Sequence, residues 1–240
     1  MTFGNRAESI PLLWYRSPRQ ERPVVEPILF RNGTARLGPI QQSQPMPASF
    51  FTLETEGQVS LLRLRSEDGT NRLTGDCVQA LMELLGQLER GARPLVITGN
   101  DRFFSAGAEL AEIAALDAPS AYEFAKMGQT LMDTIDRFPA PVCAAISGYC
   151  MGGGLDLALA CRYRIASPHA VFGHRGAALG LITGWGGTQR LPRLIGKARA
   201  LEMFVAAEKI HAREALRIGL VDAISDDPVT EAVRRIPSSN

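Results

Sequence analysis

Apolar and polar positions follow a regular pattern only from about Phe50 onward. FFTLE and QVSLLRLRS alternate or run apolar over strand-length stretches, and Glu56-Gly57 separates them as a turn, so two strands are expected there. From Asp76 to Arg90 the period lengthens, and Val78, Leu81, Leu85 and Leu88 fall on one helical face. PLVITG is a short buried strand ending in glycine, and GNDRFFSAGAEL is a loop running into a helix at about Ala108. Pro119 to Phe138 returns to the helical period through Phe124, Met127, Leu131, Ile135 and Phe138. PVCAAIS is a second buried strand, followed by SGYCMGGGLDLALAC, a glycine triplet opening an apolar helix. RYRIAS and AVFG predict two further strands, and two or three helices run from Gly186 to about Ile218. Strand, glycine-bearing loop and helix thus occur twice, at 94–116 and 141–161, which implies an α/β fold.

Residues 1–49 do not share this pattern. They hold seven prolines and sustain neither period, so they read as a proline-rich N-terminal arm on a domain spanning 50–240. The 240 residues are 45% hydrophobic and 21% charged with a formal net charge of +1, which gives no global argument for nucleic acid, and no basic stripe with interleaved aromatics stands out. No apolar run approaches the ~20 residues that cross a bilayer. The opening MTFGNRAESIPLLWYR lacks a secretory apolar core, and Glu8, Glu21 and Glu26 argue against a transit peptide. Cys77, Cys143, Cys150 and Cys161 form no CxxC and no cluster with histidine, so buried free thiols, no metal site and a cytoplasmic location are expected. Cys150 lacks a neighbouring histidine in sequence, which favours packing over a nucleophilic role.

The chemistry concentrates in the two glycine loops. Glycines at a helix N-terminus present backbone N–H groups without intrahelical acceptors, and such groups favour negative charge. Neither loop carries GxxxxGK[ST] or GxGxxG, so a nucleotide phosphate is not the expected ligand. Two N–H groups converging on one point would suit an oxyanion, as when a thioester carbonyl becomes an enolate. Asp156 falls in the first turn behind the triplet, either as a proton-transfer group or as an acid placed for the helix dipole.

FFSAGAEL, SGYCMGGGLDLALAC, VFGH, GWGGTQRLPRLIGKARALEM and EALRIGLVD, in that order and spacing, resemble the crotonase (enoyl-CoA hydratase/isomerase) superfamily from about Phe50 to Asp226. The resemblance implies a ClpP/crotonase-type α/β fold of repeated ββα units that binds an acyl-CoA thioester, assembled as a homotrimer or hexamer. No cofactor is implied beyond the coenzyme A of the substrate. The oxyanion donors carry over to the backbone N–H groups of Ala108 and Gly153, flanked by Gly107 and Gly152. Ala106 matches a backbone position near the adenine side of CoA, and Arg102 a position near its phosphates.

The pattern also departs from the family. The first of two hydratase glutamates falls on Asp156, in GGGLD, one methylene shorter. The second falls on Gly176, in FGHRGAALG, which supplies neither acid nor base. A glycine there resembles the naphthoyl-CoA-forming synthases, but their later aspartate falls on Thr183, against that reading. His174 and Arg175 adjoin the gap, read either as pocket groups that hold an anion or as a backbone-satisfied histidine beside a solvated cation. Trp185 is either a wall of the acyl pocket or a core tryptophan. Relatives continue past GLVD in helices that help trimerise, which this domain is expected to lack. The expected function is that of a hydratase (a lyase) or isomerase, working by enolate stabilisation and proton transfer. Alternatives are a decarboxylase or hydrolase of a carboxylated acyl-CoA, using Arg175, and a catalytically silent acyl-CoA binder.

Overall fold

A computed structural model describes residues 50–236; the N-terminal arm lies outside the described residues. The elements follow in the order β1 (Phe51–Glu56), β2 (Val59–Leu64), β3 (Arg72–Leu73), α1 (Gly75–Leu88), β4 (Leu95–Thr98), β5 (Phe103–Ser105) and β6 (Gly107–Ala108). Next come α2 (Leu110–Ala114), α3 (Ala118–Asp136), β7 (Val142–Ile146), β8 (Tyr149–Met151) and α4 (Gly153–Ala160). The chain then forms β9 (Tyr163–Ala166), β10 (Val171–Gly173), α5 (Gly187–Ile195), α6 (Lys197–Ala206), β11 (Ile210–His211), α7 (Ala212–Arg217), β12 (Ala223–Ile224) and α8 (Pro228–Arg235).

Six strands form one sheet in the order β1-β2-β4-β7-β9-β12, and four form a second in the order β11-β10-β8-β5. Three times the chain places one strand in the larger sheet and the next in the smaller sheet before a helix follows: β4 and β5, with the short β6 before α2, then β7 and β8, then β9 and β10. This is the repeated ββα unit the sequence led us to expect. The β1–β2 hairpin pairs Glu56 with Val59, and Gly57 takes the left-handed conformation (φ 61°) that so tight a turn requires.

The larger sheet is covered on both faces because its strands alternate side chains between two apolar clusters. Leu62, Leu64, Leu95, Ile97, Val142, Ala144 and Ile146 join the main core with α1, α3 and α4. Val59, Leu61, Val96, Cys143, Ala145 and Ile165 form a smaller cluster with Ala232 and Ile236, from α8 and the residue after it. Near-continuous apolar strands such as VCAAI, buried at every position, are what a largely parallel sheet with two covered faces demands. Among the described residues, no helix is long and apolar enough to cross a membrane.

One boundary differs from the sequence reading. The helix expected at about Ala108 begins instead at Leu110, and Ala108 belongs to the two-residue strand β6, which pairs with β3. Gly107 (φ 96°) bends the chain there, and the Glu109 side chain caps the helix by accepting from the Ala111 N–H. The first oxyanion candidate is therefore a strand amide, not a helix terminus.

Candidate active site

Two backbone segments pass within contact of each other where β6 crosses the start of α4. A Cβ on Gly107 would lie 2.6 Å from the Met151 carbonyl oxygen and 3.0 Å from the Gly153 nitrogen. A Cβ on Gly153 would lie 3.1 Å from the Ala108 nitrogen and 2.7 Å from Cζ3 of Trp185. Both glycines are needed because no side chain fits between the segments. Gly152 is needed for a different reason: its φ of 51° and ψ of −121° suit glycine alone. Its N–H donates to the Gly173 carbonyl at 2.9 Å, which ties the turn to β10. Gly153 is the first residue of α4, so its N–H has no acceptor within the helix. The fold thus brings the Ala108 and Gly153 amides to one place.

They border an apolar cavity of about 420 Å³. Leu110, Ile113, Phe124, Met151, Leu181 and Ile182 contribute to its walls. Of the sequence-nominated residues, Ala106, Ala108, Gly152, Gly153, Asp156, His174, Arg175, Gly176 and Trp185 all line it. Gly107 does not, and acts through the bend it allows. Arg102 stands apart: it is exposed, with its guanidinium 5.9 Å from the centre of the Phe103 ring. A larger polar cleft of about 670 Å³ lies beside Asp133, Arg164 and Arg190, and includes none of the nominated residues.

Trp185 proves to be both wall and core. The indole is 3% exposed and donates from Nε1 to the Phe124 carbonyl at 3.2 Å. It slots between Gly128 of α3 and Gly153 of α4, where any Cβ would overlap it. Its ring lies 5.2 Å from that of Phe124, within the range of aromatic pairing.

Asp156 is 1% exposed in the first turn of α4. Thr183 donates its hydroxyl to Oδ2, and Oδ1 faces Nε2 of His174 at 3.5 Å. Neither Oδ1 nor Nε2 has a hydrogen-bond partner, although both are buried. Gly187 makes this approach possible, since a Cβ there would run into Oδ1 and lie 3.0 Å from Nε2. Burial pushes the Asp156 carboxyl up to about 7, against the opposing pull of the Thr183 hydroxyl, the Arg190 charge and the Gly187 and Trp185 backbone amides. Burial likewise holds the His174 imidazole down, to about 4. At neutral pH the imidazole is uncharged and the carboxyl is poised between its two forms.

The Nε2 of His174 is not satisfied by backbone, as one reading of FGHRG expects; it lies without a hydrogen bond 3.5 Å from the carboxylate. Arg175 is exposed at the same cavity, as a loop cation would be. Gly176 leaves no room for a side chain, because a Cβ would sit 2.7 Å from the Leu181 carbonyl oxygen. The Leu181 N–H returns a hydrogen bond to the Gly176 carbonyl at 2.8 Å, which closes the loop on itself. Cys150 is fully buried, with its thiol pushed well above the ordinary range and 3.5 Å from the Gly154 carbonyl, which is a packing role.

Sequence reasoning missed Thr183 as a partner of Asp156, registering it only as a mismatch. Nothing in LITGWGG signals that contact, which spans 27 residues. Leu179, Leu181 and Ile182 also line the cavity, and the exposure that marks them out is visible only in the folded chain.

The enoyl-CoA hydratase/isomerase family model matches residues 54–236. A protein of Bacillus subtilis (strain 168) described as a probable enoyl-CoA hydratase is 44% identical over 160 residues, covering 65% of this chain and 62% of that protein. A crotonyl-CoA hydratase of Syntrophomonas wolfei is 38% identical over 175 residues, covering 72% and 67%. The chain therefore spans about two thirds of the length of these relatives. The crystal structure of an enoyl-CoA hydratase from Bacillus anthracis superposes with a TM-score of 0.72 at 34% identity, over 78% of this chain and 73% of that one. Fold, motif order and sequence agree, and the chain belongs to the enoyl-CoA hydratase/isomerase family.

Proposed function

We propose that the protein binds an acyl-CoA thioester with its acyl group in the 420 Å³ cavity and moves a proton beside the thioester carbonyl. The observation that carries this reading is the buried Asp156 carboxyl in the lining that also contains Ala108 and Gly153. The two amides would stabilise the enolate oxygen; loss of one such donor in acyl-transfer enzymes costs about 2.7–4 kcal/mol. A carboxyl raised to about 7 can accept a proton from carbon and return it within one turnover near neutral pH. With glycine at 176, double-bond isomerisation needs fewer acid/base groups than hydration by two carboxylates, and it is the reaction this cavity favours. The apolar walls favour an uncharged acyl chain.

Arg175, at the same cavity, supports a second reading in which the acyl group carries a carboxylate and the reaction is its decarboxylation or hydrolysis. We further propose a homotrimer or hexamer in the cytoplasm; the four free, buried cysteines fit a reducing compartment.

The deciding experiment follows crotonyl-CoA, a 3-enoyl-CoA and malonyl-CoA by NMR in D₂O, with native protein and Asp156→Asn in parallel. Movement of the 3-enoyl double bond, lost in the variant, supports the isomerase. A 3-hydroxyacyl product would make hydration the reaction. Carbon dioxide release from malonyl-CoA, abolished by Arg175→Ala, would move the assignment to the second reading. Tight binding without turnover of any of the three would overturn the catalytic proposal and leave an acyl-CoA binder.

A further inference from the structure

The Asp156 carboxyl faces a group that the proposed reaction does not use: its Oδ1 and Nε2 of His174 are buried 3.5 Å apart, and neither atom makes a hydrogen bond. Unsatisfied polar atoms in a protein interior are costly, so a pair of them facing across 3.5 Å calls for a shared occupant. One proton satisfies both. A protonated Oδ1 donates to Nε2, and a protonated Nε2 donates to an ionised Oδ1.

We propose that His174 is the positioning partner of Asp156 in proton transfer, donating to Oδ1 when the carboxyl is ionised and accepting from it when the carboxyl is protonated. The inference rests on Asp156 as the proton-transfer group of the preceding section. A neutral imidazole suits the task because it has one donor and one acceptor nitrogen, and either tautomer is accessible. A lysine or arginine could only donate and would fix the carboxyl in its ionised form. The second glutamate that the family motif leads one to seek at position 176 is thus not replaced at that site. A different side chain, two residues earlier, serves the remaining carboxyl.

The geometry supports this assignment on every side. Thr183 donates to Oδ2 and the Gly187 and Trp185 amides also favour the ionised carboxyl, while Oδ1 makes no hydrogen bond and has Nε2 of His174 as its side-chain neighbour at 3.5 Å. The Phe204 ring packs 5.2 Å from the imidazole and limits its rotation. The charged and titratable groups about the pair are Arg190 from α5, the Cys150 thiol from β8, and Arg175 at the cavity wall. Arg190 is already ion-paired with Asp133 at 2.7 Å. When the Asp156 carboxylate removes a proton from the substrate, a C–H bond breaks, an O–H bond forms and the electron pair moves to the thioester oxygen. The imidazole stays neutral: the change of tautomer breaks the Nε2–H bond and forms an Nδ1–H bond, one proton leaving and one returning through the cavity that His174 lines, so the ring's proton count is unchanged. Protonation on the second carbon reverses these steps, so no net proton is consumed.

The test is an NMR titration of the substrate-free full chain, labelled with ¹⁵N in the imidazole rings and ¹³C in the aspartate carboxyls, with His174→Gln to assign the signal. In the native protein the Nε2 resonance of His174 should move with the same midpoint as the Asp156 carboxyl while the ring stays neutral. In His174→Leu the Asp156 midpoint should rise by roughly one pH unit, because the charge-assisted bond lost by the ionised form is stronger than the neutral bond lost by the protonated form. His174→Gln, whose amide can donate or accept, should bring it back toward the native value. The pH limb of turnover should follow the same order. A His174 signal indifferent to the Asp156 titration, or an unchanged Asp156 midpoint in a folded His174→Leu, would overturn the proposal. The native titration decides even where the leucine variant fails to fold. Because these shifts need no turnover, a chain inactive on every thioester would sink the proposed function and leave this pair standing.

Discussion

Oδ1 of Asp156 and Nε2 of His174 lie 3.5 Å apart, one from the first turn of α4 and the other from the end of β10. Burial drives their protonation equilibria in opposite directions, and this has a consequence for stability. The folded carboxyl, at about 7, lies above its ordinary 3.8, so the stability tied to its neutral form is lost as pH rises through about 7. The folded imidazole, at about 4, lies below its ordinary 6.5, so its contribution is present above 6.5 and lost as pH falls through about 4. Between these limits the folded pair holds one proton, on the carboxyl, and the unfolded pair also holds one, on the imidazole. The two slopes cancel. Urea unfolding at several pH values between about 4.5 and 6.5 should show little pH dependence from this pair in the native protein. Asp156→Asn should gain stability with rising pH relative to native, and His174→Leu should lose it, by on the order of 3 kcal/mol across the window. Parallel native and variant curves would contradict the buried pair.

Asp156→Asn keeps the shape of the side chain and the contact with Thr183 but cannot accept a proton from carbon. Turnover of the responsive thioester should fall by about 10²–10⁴-fold, the range for a lost acid/base group. Thioester affinity, measured by calorimetry with a saturated acyl-CoA, should change little. A loss of affinity equal to the loss of rate would place Asp156 in binding instead.

Gly152→Ala and Gly153→Ala should fail for different reasons. At Gly152 a Cβ has open space, but the backbone conformation is one that alanine avoids, so the cost is about 1–3 kcal/mol of stability. At Gly153 the conformation is helical but a Cβ meets Trp185 at 2.7 Å and the Ala108 amide at 3.1 Å. That variant should lose turnover more than its change in melting temperature would suggest, because the intrusion falls where the two amides converge. Equal ratios of lost activity to lost stability in the two variants would argue against an oxyanion site there.

Gly176→Glu should not create a working second acid. Its Cβ would lie 2.7 Å from the Leu181 carbonyl oxygen, so the loop must open before the carboxyl can enter the cavity. We expect a lowered melting temperature and no rise in hydration of crotonyl-CoA. A gain in hydration would show that the loop yields readily and that the glycine alone had withheld this chemistry.

The extent to which these features are legible from sequence differs by residue. VCAAI and LVIT declare themselves as buried strands, and the glycine triplet declares an unusual turn, because each depends on neighbours within a few positions. Ala108, nominated as an oxyanion donor at the start of a helix, lines the cavity from a strand instead. Its conformation depends on pairing with Leu73, which lies 35 positions away in the chain and leaves no trace in the local pattern.

The alternation of strand and helix, the two glycine turns, Asp156 behind the second of them and the absence of an acid at 176 can all be read along the chain. These follow from local periodicity, backbone permissiveness and residue identity, all of which are properties of short segments. It takes the folded packing to bring two amides together at Gly107 and Gly153, to set Trp185 in the gap left by Gly128 and Gly153, and to bring Thr183 and His174 to one carboxyl. Those relations join residues far apart along the chain. The approach distances are set by packing of the two sheets and their helices, and burial then sets the proton affinities of Asp156 and His174.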